Sequence, residues 1–204
     1  MTILEKKTFS GENKVFISHA HADNEFAIPF AEMLNKLGVN AVFCSSIEGQ
    51  GVKNGDKIEE SVRNEIVQDK ALLYILSSNF MISNYCLEEL GAGWILHDSR
   101  VQGKRLFLLG LPDVNINSII GFINGGDKFA NTNSDSLLAL IDEMEAELGI
   151  SKKEKAEKIE IIDAFLQAVK PFLCEAKKNV DNGFKPLIGK FVELNDIDWE
   201  KPKQ

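Results

Sequence analysis

Cysteine is scarce in this chain. Cys44, Cys86 and Cys174 are the only three, far apart, odd in number and without a CxxC pair. That pattern excludes a disulfide framework and reads as reduced thiols in a cytoplasmic protein. Histidine is as scarce: of the three, His19-x-His21 is the one close pair and has no cysteine near it, so no metal is expected. Long apolar runs are absent. The opening MTILEKKTFS holds no hydrophobic signal core, and no stretch approaches the ~20 apolar residues a membrane span needs. An excess of basic residues is missing too: 23 Lys and Arg against 31 Asp and Glu give a net charge of −8. This speaks against general nucleic-acid or anionic-membrane binding, though backbone amides and a few local bases can still hold a small anion. Gly49-x-Gly51 and Asn54-Gly55 lack the Gly-Lys-Ser/Thr of a phosphate loop. There is no internal repeat and no low-complexity segment.

What the chain does hold is an alternation of strand and helix patterns, on 204 residues that suit one domain with an appended element. Lys14–Ser18 (KVFIS) predicts a buried central strand. Phe26, Phe30, Met33, Leu34 and Leu37 keep helical spacing up to Gly38, a suitable residue just past a helix end. Asp23 or Asn24 is the expected cap, and Pro29 argues for a helix starting late enough to hold it in the first turn. Val39–Cys44 reads as a second strand, Ser45–Lys57 with its three glycines as a long loop, and Ile58, Val62 and Ile66 as the inner row of a helix. Ala71–Leu76 and Arg105–Leu109 are further strands, the latter stopped by Gly110 and Pro112. Between them a helix over Cys86–His97 turns Leu87, Leu90, Trp94 and Ile95 inward or partly so. Residues 113–133 read as loop, and Leu137, Leu138, Ile141, Met144 and Leu148 as another helix. Such alternation means a parallel sheet covered by helices. From Ser151 the composition changes. The Lys152–Lys158 run is expected to be solvated, and Ile159, Ile162, Phe165, Leu166 and Val169 form the apolar face of a helix that Pro171 interrupts or kinks.

The sharpest signal lies in Leu72–Leu90, LLYILSSNFMISNYCLEEL: an apolar strand ending in Ser77-Ser78, a polar turn, and a helix opening at Tyr85-Cys86-Leu87-Glu88-Glu89. In a parallel sheet ligands bind at the carboxyl ends of the strands, so an acidic side chain in the first turn of the next helix looks into a cleft. Together with Lys14–His19 and the Gly-bearing loop after the second strand, in that order and spacing, this block resembles the Toll/interleukin-1 receptor (TIR) domain family over residues 12–148. The resemblance implies an α/β fold, a flavodoxin-like parallel sheet flanked by helices (the TIR fold), with residues 149–204 as a helical C-terminal extension. It also implies an aromatic-Cys-x-x-Glu element whose glutamate cleaves NAD. Tyr85 takes the place of the usual Trp, so Glu89 and not Glu88 is the matching catalytic carboxylate. Ser18, His19, Phe43, Ser45, Lys53, Ser78, Tyr85 and Cys86 are the substrate contacts implied, with Phe43 flanking the nicotinamide end. The Ser45–Lys57 loop would close the site and mediate self-association. His19 and Ala20 depart from the aromatic and basic residues that members often carry there.

The chemistry stands on its own terms. In NAD+ the ribose is joined to a cationic pyridinium, so nicotinamide leaves as a neutral base without a general acid. A fixed carboxylate in a dry cleft stabilises the oxocarbenium-like ribose that develops, or orients its diol. No metal and no cofactor are called for, with NAD+ as substrate. Read without the resemblance, Glu89 is a solvated residue favoured by the positive end of its helix, and Cys86 is a small core residue. Two other functions compete: a non-catalytic interaction module assembling through the Ser45–Lys57 loop, and a nucleoside deoxyribosyltransferase, whose related fold also sets a glutamate on an N-glycosidic bond. The YCxxEL block fits the TIR family better. With no sensing or executing domain expected in the chain, it is similar to bacterial stand-alone TIR proteins of the Thoeris-like antiphage type. That likeness implies a product that activates a separate effector protein.

Overall fold

The run ALLYIL offers water nothing but the hydroxyl of Tyr74, and a strand with no polar face must be covered on both sides. The computed structural model describes residues 14–39, 41–44, 66–98, 100–114, 129–150 and 153–181, with backbone alone at 41–44 and 178–181. Strands β1 (Lys14–Ser18), β2 (Ala41–Cys44), β3 (Ala71–Leu76), β4 (Arg105–Gly110) and β5 (Ala130–Asn131) form one sheet in the order β2-β1-β3-β4-β5. Every pairing is parallel. This is the flavodoxin-like order, with a switch point between β1 and β3.

Alternation along the strands sorts the core into two layers. Val15, Ile17, Leu73, Ile75, Phe107 and Leu109 face α1 (Asn24–Lys36), α4 (Ser134–Leu148) and α5 (Lys155–Asp181). Phe16, Leu72, Tyr74, Leu76 and Leu108 face the other way, toward Phe80 of α2 (Ser78–Ile82) and Cys86 and Leu90 of α3 (Asn84–His97).

Several local expectations are corrected. Helix α1 starts at Asn24 and carries Pro29 in its interior. The bond that Pro29 cannot make would go to the carbonyl of Glu25, an exposed residue. Asp23 stands at the cap position without capping, because its carboxylate is engaged across the sheet. Gly38 does end the helix in the left-handed conformation, at φ 91°. The polar turn after β3 is the short helix α2, nucleated by Ser77 Oγ accepting from the amide of Phe80 at 2.9 Å. β5 lies within the span expected to be loop. Helix α3 turns Cys86, Leu90 and Gly93 inward, spaced four and then three residues apart, which leaves Leu87, Trp94 and Ile95 exposed. Of the row Ile58, Val62 and Ile66, only Ile66 falls among the described residues, where it is buried.

The C-terminal helix is part of the core. Phe165 sets its ring edge-on to Phe26 and Phe30, with centroids 5.4 and 5.6 Å away. α5 runs unbroken through Pro171, which sits on its exposed side with Gln167, the residue whose carbonyl loses its bond. Lys158 is not solvated: it is buried, and Nζ donates to Glu145 Oε2 at 2.9 Å and to Asp142 Oδ1. Charge alone reads the run as a solvated face, but α5 lies against α4 there and takes this one lysine with it. No helix among the described residues is long and apolar enough to cross a membrane.

Removing one member of a buried pair strands the other. Lys158→Met should therefore cost about 3–5 kcal/mol in urea unfolding, since Glu145 would stay buried and unpaired. The double variant Lys158→Met/Glu145→Leu should recover most of the loss. Equal stability of Lys158→Met and wild type would show that the pair does not hold α5.

Candidate functional site

At the switch point the chain leaves β1 toward one side of the sheet and β3 toward the other, and in parallel sheets it is between such carboxyl ends that ligands bind. Two buried polar clusters stand there. In the first, Asp23 accepts from Ser77 Oγ and, at 2.8 Å, from Asn79 Nδ2. This ties the turn after β1 to the start of α2. Burial raises the pKa of Asp23, and the two hydrogen bonds oppose that rise. Beside it, Asp113 accepts from the Ser78 amide at 3.0 Å, and the Asp113 carbonyl accepts from Ser78 Oγ at 2.7 Å. Ser78, expected to touch substrate, thus links the ends of β3 and β4. His19 is buried and its Nε2 pairs with Asn24 Oδ1 at 2.8 Å. Burial lowers its pKa.

The second cluster is built around Glu89. Ser83 caps α3 by accepting from the amide of Cys86, which starts the helix at Asn84, two residues before the expected opening. Glu89 therefore lies in the second turn, on the inward face with Cys86, Leu90 and Gly93, and is 6% exposed. Ser18 follows Phe16 by two residues and so shares its side of the sheet. Its hydroxyl donates to Glu89 Oε2 at 2.5 Å. Oε1 is buried with no hydrogen-bond partner among the described residues. From β3, the Tyr74 hydroxyl donates to the backbone carbonyl of Glu89 at 2.8 Å. It reaches the helix because position 93 is glycine: a Cβ there would stand 2.2 Å from the hydroxyl oxygen.

Burial pushes the Glu89 carboxyl up to about 7, with the Ser18 hydrogen bond holding it back. Burial and the neighbouring Glu89 raise the Tyr74 hydroxyl far above its ordinary value, so it stays a donor. Burial likewise raises the Cys86 thiol, which sits in the apolar layer under α3. A carboxyl that titrates near neutrality, with one oxygen fixed and the other unpartnered, can act as a base or as a preorganised negative charge.

The structure thus brings Ser18 and Glu89 into contact and sets Cys86 on the same helix face. His19 and Ser78 close the neighbouring strand ends. Tyr85 is 40% exposed, and Glu88 is exposed as well. Phe43 lies on β2 opposite Phe16, with its side chain outside the described residues. Ser45, Lys53 and the rest of the Ser45–Lys57 loop lie outside them too. Sequence reasoning missed Tyr74, Gly93, Asp23 and Asp113. The signal available was a lone hydroxyl within an apolar strand and a glycine in mid-helix, each of which asks for a packing reason.

The family model for the TIR domain matches residues 15–140, more than half of the chain. The chain belongs to the TIR domain family. Among solved structures, the TIR domain of the Toll-related receptor TRR-2 from Hydra magnipapillata aligns with 68% of this chain and 99% of its own, at a TM-score of 0.50 and 13% identity. That likeness speaks to the fold alone. The TIR domains of the activated Roq1 resistosome align with 76% of this chain and 98% of theirs, at a TM-score of 0.44 and 18% identity. An uncharacterized Bacillus subtilis protein, YddK, is 33% identical over 86 residues, 41% of this chain. The match spans 32% of YddK, about a third of its length.

Two measurements check this geometry. Alanine in place of a mid-helix glycine ordinarily stabilises by up to about 1 kcal/mol. Gly93→Ala should instead destabilise this TIR domain by about 1–3 kcal/mol, and less so when combined with Tyr74→Phe, which removes the clashing oxygen. A stabilised Gly93→Ala would refute the close approach. The second concerns Glu89, whose proton affinity rises on folding from the ordinary 4.5 to about 7. The folded state therefore binds more protons than the unfolded one between these values, and stability falls as pH rises through that window. The loss amounts to roughly 3 kcal/mol above pH 7. Glu89→Gln should melt higher than wild type at pH 8 and close to it near pH 4.5. Parallel melting curves across that range would show that Glu89 is not held in this way.

Proposed function

We propose that this TIR domain cleaves NAD+ between ribose and nicotinamide, as an NAD glycohydrolase or ADP-ribosyl cyclase, with Glu89 as the catalytic carboxylate. The observation that supports this most is the state of Glu89: buried at the switch point, titrating near neutrality, and holding an oxygen without a partner among the described residues. Buried polar atoms are ordinarily satisfied, so an orphaned carboxylate oxygen at the strand ends is one that a ligand can complete. As the C1′–N bond breaks, its electron pair goes to the pyridinium nitrogen and nicotinamide departs neutral. The ionised carboxylate faces the positive charge left on the ribose. Water, or a group of the substrate itself, then bonds to C1′ through a lone pair, and any proton it sheds passes to the Glu89 carboxylate. His19, Phe43, Ser45, Lys53, Ser78 and Tyr85 are the proposed ligand contacts beside Glu89, and the Ser45–Lys57 loop is the proposed self-association element. No cofactor takes part. The product serves as a signal to a separate effector in antiphage immunity. In this reading residues 12–148 are the catalytic domain and 149–204 an extension whose helix completes its core.

A second reading, a non-catalytic interaction module, draws support from Leu87, Trp94 and Ile95, which stand outward on α3.

Purified protein incubated with NAD+ separates the two. Nicotinamide should be released, and kcat/KM should rise with pH through about 7 as free Glu89 ionises. Glu89→Gln should lose on the order of 10²–10³ in rate or more, and Glu88→Gln little. An active Glu89→Gln, or no release by wild type, would overturn the enzymatic reading.

A further inference from the structure

We propose that Ser18 is a positioning residue for Glu89: its hydroxyl anchors Oε2 and leaves Oε1 as the oxygen that acts. The kinetic half of this inference rests on the NAD-cleavage reading. The geometric half does not.

A serine hydroxyl has one proton to donate, and Ser18 gives it to Glu89 at 2.5 Å. No donor remains for a ligand, and with Ser18 only 1% exposed the group is also closed to solvent. Ser18 therefore acts through the carboxylate, not on the substrate. Its placement follows from sheet register. Ser18 on β1 and Tyr74 on β3 are direct partners across the parallel pair, and both engage the same glutamate. Tyr74 holds the backbone carbonyl of Glu89 and Ser18 holds the tip of its side chain. A free glutamate side chain samples several rotamers, and a grip at both ends removes that freedom before any ligand arrives. The asymmetry between the two oxygens is the consequence: one bonded, one buried and without a partner among the described residues. A hydrogen bond donated to a carboxylate also favours its ionised form, so the same contact keeps Glu89 charged at a lower pH than its burial alone would allow.

The test uses the full chain with 13C-labelled glutamate carboxyls, the Glu89 signal being identified by its absence in Glu89→Gln. Removing the hydroxyl in Ser18→Ala should move the Glu89 titration to higher pH, and Ser18→Thr, which keeps a hydroxyl, should return it toward wild type. In NAD+ cleavage Ser18→Ala should lower kcat at pH 7 by roughly tenfold to a hundredfold with KM little changed. The acidic limb of its pH profile should shift the same way as the NMR titration. An unmoved Glu89 titration in a folded Ser18→Ala overturns the proposal, as does a raised KM with kcat intact, which would put Ser18 on the substrate. Absence of cleavage by wild type would sink the enzymatic reading alone, because the carboxyl titration still decides whether Ser18 controls Glu89.

Discussion

The hydroxyl of Tyr74 meets the backbone carbonyl of Glu89 at 2.8 Å, in a gap that exists because residue 93 has no side chain. This contact sets how closely α3 lies on β3, and the placement of Glu89 follows from it. Bringing the helix down onto the strand buries Cys86 and Leu90 against Phe16, Leu72 and Phe80. It also carries the Glu89 side chain within reach of Ser18, at the end of the neighbouring strand. A helix displaced outward by the width of a methyl group would lose the Ser18 bond and open Glu89 to water, and with it the elevated proton affinity that burial produces.

Buried carboxylates of this kind work against stability. Asp23, Glu89 and Asp113 all have raised proton affinities because burial disfavours their charge. Asp23 is compensated by two side-chain donors. Among the described residues, Glu89 is compensated at one oxygen only, and Asp113 likewise keeps a buried oxygen without a partner. Violations of polar satisfaction in an otherwise consistent fold concentrate at functional sites. Among the described residues, Glu89 and Asp113 carry such atoms at the carboxyl end of the sheet, while Glu145, beside Lys158 in the opposite layer, carries another.

That opposite layer extends past the segment matched by the TIR family model, which ends at residue 140. Ile162, Phe165 and Val169 of α5 join the same cluster as Val15, Phe26 and Phe30, so the appended helix covers core surface that α1 and α4 alone would leave open. Its charged anchor, Lys158 between Asp142 and Glu145, lies under the helix and not on its solvent face.

The sequence alone determined much of this molecule. Strands β1, β3 and β4 were legible as short apolar runs, α1 and α4 as rows at helical spacing, and the TIR family in the order of three motifs. These features are local: periodicity of two or of 3.6 residues survives in the chain whatever packs against it. Glu89 was legible as the candidate carboxylate for the same reason, through its distance from Tyr85 and Cys86. What the tertiary structure decided was the condition of that carboxylate and of its neighbours. Whether Asp23 caps its helix or bonds Ser77, whether Trp94 and Ile95 face in or out, and whether Lys158 is solvated all depend on which surface meets them from a distant part of the chain. The grip of Ser18 on Glu89 joins residues 71 positions apart. No spacing in the sequence encodes it, because it arises only when parallel pairing sets β1 beside β3 and a glycine lets α3 settle onto them both.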